Sequence, residues 1–110
     1  MDLKRLTPEI AVAGQIMPED VAAIAAAGYR AIICNRPDDE APGQPPYAAI
    51  EAAARKAGIA TRFVPVAPGK IGADDVTAFA EALRALPSPV LAYCRSGARS
   101  SSLWTLHGAA

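Results

Sequence analysis

Apolar residues recur along the chain in two alternating signatures, short unbroken runs and longer stretches spaced by three or four, and the alternation repeats four times. Residues 9–13 form a first short strand around Ile10 and Val12. Pro18 then stands where a first-turn proline belongs, and Glu19 and Asp20 suit the positive end of a helix dipole. The helix they open passes through Val21, Ile24 and Ala27, and Gly28 supplies its stop. Residues 31–35 are a continuous apolar strand, as expected where both faces of a parallel sheet are covered. A turn-rich loop over residues 36–45 follows, interrupted by Pro37, Pro42, Gly43 and Pro45. The second helix spans residues 46–56, with Ile50 and either Ala53 or Ala54 on one face and Gly58 as its stop. Residues 61–66 read as a third strand, broken by Pro68 and Gly69. Ala73, Asp74 and Asp75 open a third helix that places Val76, Phe79, Leu83 and Leu86 near helical spacing. Residues 89–93 form a fourth strand, and a last helix starts near Arg99 and runs through Leu103 and Leu106 to the end.

Strand-helix alternation with short connections predicts a three-layer α/β domain whose mainly parallel four-stranded sheet is flanked by helices. Ligands of such sheets bind beyond the carboxyl ends of the strands, which brings residues 35–40, 67–72 and 94–99 together. A chain of 110 residues suits one domain, residues 1–110. It ends directly on its last helix, so a further C-terminal element is expected.

Hydrophobic residues at 52% and charged residues at 20% fit a globular chain. Eleven basic and eleven acidic residues cancel, so no global field draws the chain to nucleic acid or an anionic membrane. Anion affinity must therefore be local. Glu9, Gly14 and Gln15 interrupt what would be a signal peptide, and no apolar run is long enough to span a bilayer, so a cytoplasmic location is expected. Two cysteines sixty positions apart make no disulfide framework, and no zinc-spaced Cys/His cluster or cofactor motif is present.

The chemistry concentrates after the fourth strand. There an apolar run delivers Cys94 into Arg95, Ser96, Gly97, Ala98, Arg99 and Ser100, which enter a helix. Gly97 lets successive N–H groups turn inward, and the helix N-terminus adds donors aimed at the same point. Arg95 or Arg99 brings a guanidinium that binds a tetrahedral oxyanion through two donors. The same donors favour a thiolate: a free cysteine pKa of about 8.5 falls to roughly 3.5–7.5 in such settings. Nucleophile and oxyanion cradle thus come from one device. A buried strand-end cysteine, or a cradle that binds anions without chemistry, are the alternatives.

The run from Cys94 to Ser100 is similar to the active loops of rhodanese sulfurtransferases and of cysteine-dependent phosphatases. Together with residues 35–40 (Asn35, Arg36, Pro37, Asp38, Asp39, Glu40), residues 42–45, and Leu103 and Trp104, it resembles the bacterial beta-lactamase hydrolase-like phosphatase-like domain family. The resemblance covers residues 9–104 and implies a dual-specificity-phosphatase-like fold. It implies either phosphoester hydrolysis through a cysteinyl-phosphate or rhodanese-like transfer of a Cys94 persulfide. The substrate would be a small anion, a phosphoester or a sulfane-sulfur donor. A sulfide-metabolising partner, fused or separate, is implied as well.

The chain departs from the tyrosine-phosphatase pattern in three places. Cys94 and Arg99 enclose four residues instead of five, as in the rhodanese loop. Tyr93 stands where phosphatases usually have histidine, and the loop after the third strand (Ala67, Pro68, Gly69, Lys70) lacks the aspartate general acid. Asp38 and Asp39, with Glu40, are then the nearest proton sources, although the simpler reading has this acidic run ordering its own loop through Arg36. Asp74 and Asp75 belong to the first turn of the third helix. Cys34 is either a resolving thiol or a small buried hydrophobe. His107 has no evident partner, and Lys70 could steer an anion.

Overall fold

A computed structural model describes residues 2–108. In chain order the strands are β1 (Leu3–Thr7), β2 (Ile10–Ala13), β3 (Ala31–Cys34), β4 (Ala60–Phe63) and β5 (Val90–Tyr93). The helices are α1 (Val21–Ala26), α2 (Tyr47–Ala57), α3 (Ala73–Ala85) and α4 (Ala98–Gly108), with a short 3-10 turn at Pro18–Asp20 before α1. The sheet order is β1-β2-β5-β3-β4, and every pairing is parallel except that of β1 with β2. This is a mixed α/β fold with a mainly parallel sheet, as the alternating pattern implied.

The three central strands are buried along their whole length, which is why they read as unbroken apolar runs. Their side chains alternate between two cores. Ala11, Ala13, Ile32, Cys34, Leu91 and Tyr93 face Val21 and Ile24 of α1 and Ile50 and Ala54 of α2. Ile10, Val12, Ala31, Ile33, Val90 and Ala92 face Phe79 and Ala82 of α3 and Leu103 of α4.

One strand exceeds the expected four. β1 is an edge strand whose first three residues are solvent-exposed, and Lys4 and Arg5 lie on it. Charge on an exposed edge deters pairing with other chains and also hides the strand from an apolar pattern. At the other edge, β4 ends at Phe63, three residues before the expected strand end at Val66. The chain still follows β3 beyond it, Val64 N–H donating to Cys34 O at 2.9 Å and Val66 N–H to Asn35 O at 3.0 Å. Gly28 (φ 99°) and Gly58 (φ 76°) end α1 and α2 as expected. The last helix begins at Ala98, one residue early; its expected course over residues 109 and 110 lies outside the described residues.

Candidate active site

β5 delivers Cys94 to the carboxyl end of the sheet, where Cys94 N–H donates to Ala13 O at 3.2 Å. Next to it Asn35 N–H donates to Tyr93 O at 2.8 Å. The loop that follows is pressed against the end of β2. A Cβ on Gly14 would lie 3.0 Å from Arg95 O, and one on Gly97 would lie 3.4 Å from Ala13 C and O. Gly97 also has φ +92°, a conformation that side-chain-bearing residues rarely adopt. These two glycines let the loop fold back under itself, and Gly97 N–H then donates to Cys94 Sγ at 3.1 Å.

Cys94 is buried, and burial alone raises a thiol pKa. Here burial is outweighed by the backbone N–H groups of Ser100, Ser96, Arg99 and Gly97, which hold its pKa below the ordinary value. The groups that favour the thiolate are backbone amides. The Ser100 N–H favours the thiolate, while its hydroxyl donates to Asn35 Oδ1 at 2.8 Å. Asn35 Nδ2 in turn donates to Val64 O at 3.0 Å, so one buried amide ties the loops after β3 and β4 to the first turn of α4.

Arg99 is placed by a partner that the sequence reading treated as a possible acid. Its Nη1 donates to Glu40 Oε2 at 2.7 Å and to Val66 O at 2.9 Å, and its Nη2 donates to Glu40 Oε1 at 2.8 Å. Arg36 Nε donates to the same Oε1 at 2.9 Å, while Arg36 Nη1 reaches Gln15 Oε1 at 3.1 Å. Glu40 is thus clamped between two guanidiniums. Hydrogen bonding from Arg99, partly offset by burial and reinforced by Arg36, holds its carboxyl below the usual range. Arg99 keeps donors free beyond this clamp, since a guanidinium has five N–H groups.

The remaining sequence candidates are spread around this centre. Arg95, Ser96 and Ala98 are exposed, and Ala98 N–H donates weakly to Ser96 Oγ at 3.4 Å. Asp38 and Asp39 are exposed; Asp38 Oδ1 accepts Tyr47 N–H at 2.8 Å at the start of α2, and Asp39 adopts φ 63°. The acidic run does order its loop through Arg36, by way of Glu40. Asp74 and Asp75 lie in the first turn of α3, where Asp75 Oδ2 accepts Gly72 N–H at 2.9 Å. Cys34 belongs to the core beside Tyr93, its Sγ 3.3 Å from Arg36 O, and burial pushes its pKa up. His107 sits 2.6 Å from Trp104 O near the end of α4, edge-on to Phe79. Lys70 is exposed on the loop after β4.

Two open clefts flank the Cys94 loop. One of about 370 Å³ is lined by Lys4, Val12, Gly97 and Ser101 among others, and one of about 350 Å³ by Asp2, Gly14, Gln15, Arg95 and Ser96. A separate cavity of about 380 Å³ lies between Ile10, Leu83, Arg84, Trp104 and His107 and touches none of the site residues. Among the described residues no helix is long and apolar enough to cross a membrane.

The family described as beta-lactamase hydrolase-like protein, phosphatase-like domain, matches residues 2–110. A beta-lactamase hydrolase-like protein of Xylella fastidiosa (strain Temecula1) is 40% identical over 106 residues, which cover 96% of this chain and 25% of that protein. The chain thus spans about a quarter of the length of such curated relatives. The crystal structure of a phosphatase candidate from Neisseria meningitidis z2491 superposes with a TM-score of 0.88 at 37% identity, covering 96% of this chain and 75% of the other. The core catalytic domain of a PP-IP phosphatase from S. cerevisiae superposes with a TM-score of 0.65 at 17% identity, covering 86% and 56%. That last likeness concerns the fold alone.

Proposed function

We propose that this chain, which belongs to the phosphatase-like domain family of beta-lactamase hydrolase-like proteins, is a cysteine-dependent phosphoryl hydrolase acting on a small anionic substrate. The observation behind this reading is the Gly97 N–H held 3.1 Å from a Cys94 sulfur whose pKa backbone amides depress despite burial. In the proposed reaction the thiolate attacks phosphorus. The loop amides and the free edge of Arg99 stabilise the equatorial oxygens, where preorganised donors contribute most. Glu40 fixes the guanidinium plane so that Arg99 needs no reorganisation as charge develops. Water then releases phosphate from the cysteinyl-phosphate.

A second reading has one specific observation in its favour. The ring from Cys94 to Arg99 encloses four residues, and Gly97 N–H reaches the sulfur itself at 3.1 Å. A ring this tight suits a persulfide, in which the outer sulfur takes the place of the phosphoryl oxygens. One paired assay separates the two. Purified protein is incubated with nitrophenyl phosphate and, in parallel, with thiosulfate or glutathione persulfide plus a thiol acceptor. Phosphate release that disappears in Cys94→Ser supports hydrolysis. Turnover of the sulfur donor alone, also lost in Cys94→Ser, overturns hydrolysis in favour of sulfur transfer.

A further inference from the structure

Three carboxylates that could serve Cys94, those of Glu40, Asp38 and Asp75, are engaged elsewhere. Glu40 receives three charged hydrogen bonds from Arg99 and Arg36 and stays ionised. Asp38 holds the first N–H of α2, and Asp75 holds the N–H that precedes α3. The loop after β4 offers Lys70 and no carboxylate. Asp2 and Asp39 are exposed, and among the described residues no hydrogen bond fixes either toward the sulfur. Exposed Arg95 lines the cleft of about 350 Å³ beside the loop, opposite Asp2, whose carboxylate no hydrogen bond positions among the described residues.

Resting on the hydrolase reading above, we infer that this site serves phosphoryl groups whose leaving group departs as a stable anion, phosphoanhydrides and phenolic phosphates in preference to alkyl phosphates. The Cys94 thiolate forms the S–P bond while the P–O bond to the leaving group breaks, and the bonding pair departs on an unprotonated oxygen. Water then attacks phosphorus, the S–P pair returns to sulfur, and the proton passes to solvent. Proton delivery by a positioned acid is worth about 10²–10⁴-fold, and it matters most where the departing oxygen is most basic. A site built from amides and guanidiniums stabilises a departing anion and does little for a departing alkoxide.

The test measures kcat/KM for a series of aryl monophosphates graded in phenol acidity, from dinitrophenyl to unsubstituted phenyl, with ethyl phosphate added and Cys94→Ser as the blank. Because kcat/KM reports the steps through phosphoryl transfer to sulfur, slow release of phosphate does not mask the dependence. The expected result is a fall of about 10²–10⁴-fold from nitrophenyl to phenyl phosphate, and no turnover of ethyl phosphate. A profile flat to within about threefold would mean that a proton is delivered, and overturns this inference while leaving hydrolysis standing. No turnover of any phosphate removes the hydrolase reading, and this inference with it.

Discussion

Replacing Glu40 with glutamine tests the clamp on Arg99 with little change of shape. The carboxylate accepts from Arg99 at 2.7 and 2.8 Å and from Arg36 at 2.9 Å. An amide keeps one acceptor, sets an N–H₂ group against a guanidinium, and leaves two cations without their anion. Removing one partner of a buried ion pair costs about 3–5 kcal/mol. Arg99 and Glu40 retain 10% and 15% exposure, so solvent screens part of this and the lower end, about 3 kcal/mol, applies. At 4–8 °C per kcal/mol for a domain of this size, Glu40→Gln should lower Tm by roughly 12–24 °C. kcat/KM for nitrophenyl phosphate, measured well below the new Tm, should fall about 10²-fold, as when an oxyanion donor is displaced. The sign with pH follows from the depressed pKa of Glu40. Its stabilisation is present above the ordinary carboxylate range and is lost as pH falls through the folded value. The Tm gap between the two proteins should therefore close on acidification. Thermal melts across this range decide the matter. A Tm within about 3 °C of wild type at neutral pH, with unchanged kcat/KM, would refute the clamp.

Substitutions at three further positions separate the parts of the site. Gly97→Ala forces a side chain into φ +92° and brings a Cβ to 3.4 Å from Ala13. It should cost about 1–2 kcal/mol in urea melts and raise the Cys94 pKa as its amide shifts; an unchanged pKa would disconnect that amide from the sulfur. Ser100→Ala leaves buried Asn35 Oδ1 without its donor and should cost about 1–3 kcal/mol. Since the backbone N–H of Ser100 remains, Cys94 ionisation should stay put, and a raised thiol pKa would assign the hydroxyl a role at the sulfur. Asp38→Ala removes the acceptor of Tyr47 N–H and should cost about 1 kcal/mol, whereas Asp38→Asn keeps an acceptor and should be nearly neutral. Equal losses in both, read from chemical denaturation, would contradict the capping role.

Periodicity located what is repetitive and missed what is singular. The runs at Ile10–Ala13, Ala31–Cys34 and Val90–Tyr93 were legible because both faces of each strand are covered. β1 was not, because an exposed edge bearing Lys4 and Arg5 has no apolar pattern to read. The cysteine loop was visible in one short stretch because its nucleophile, glycine and helix start are neighbours in sequence. Glu40 was weighed as a proton source and, more simply, as a partner of Arg36; its pairing with Arg99 was not legible, since that residue lies 59 positions away and nothing local links them. Asn35 was placed at the ligand edge but given no role of its own. A polar residue closing an apolar strand was the available signal, and the structure gives the reason for it: Asn35 joins Ser100 to Val64 at the base of the loop. Arg36 was expected to order the acidic run, but its burial against Glu40 and Gln15 was not legible in a turn-rich loop. Long-range pairing of charges is written in the fold, after the strands have brought the loops together.

All the chemistry proposed above requires an ionised sulfur at the centre of the amide ring. Ultraviolet thiolate absorbance, titrated against pH in wild type with Cys94→Ala as the blank, measures this without any need for a reagent to reach the buried atom. The Cys34 thiol, pushed up by burial, cancels in the difference. A transition centred well below that of a free thiol is predicted. A Cys94 that ionises only at or above the free-thiol range would contradict the account at its root.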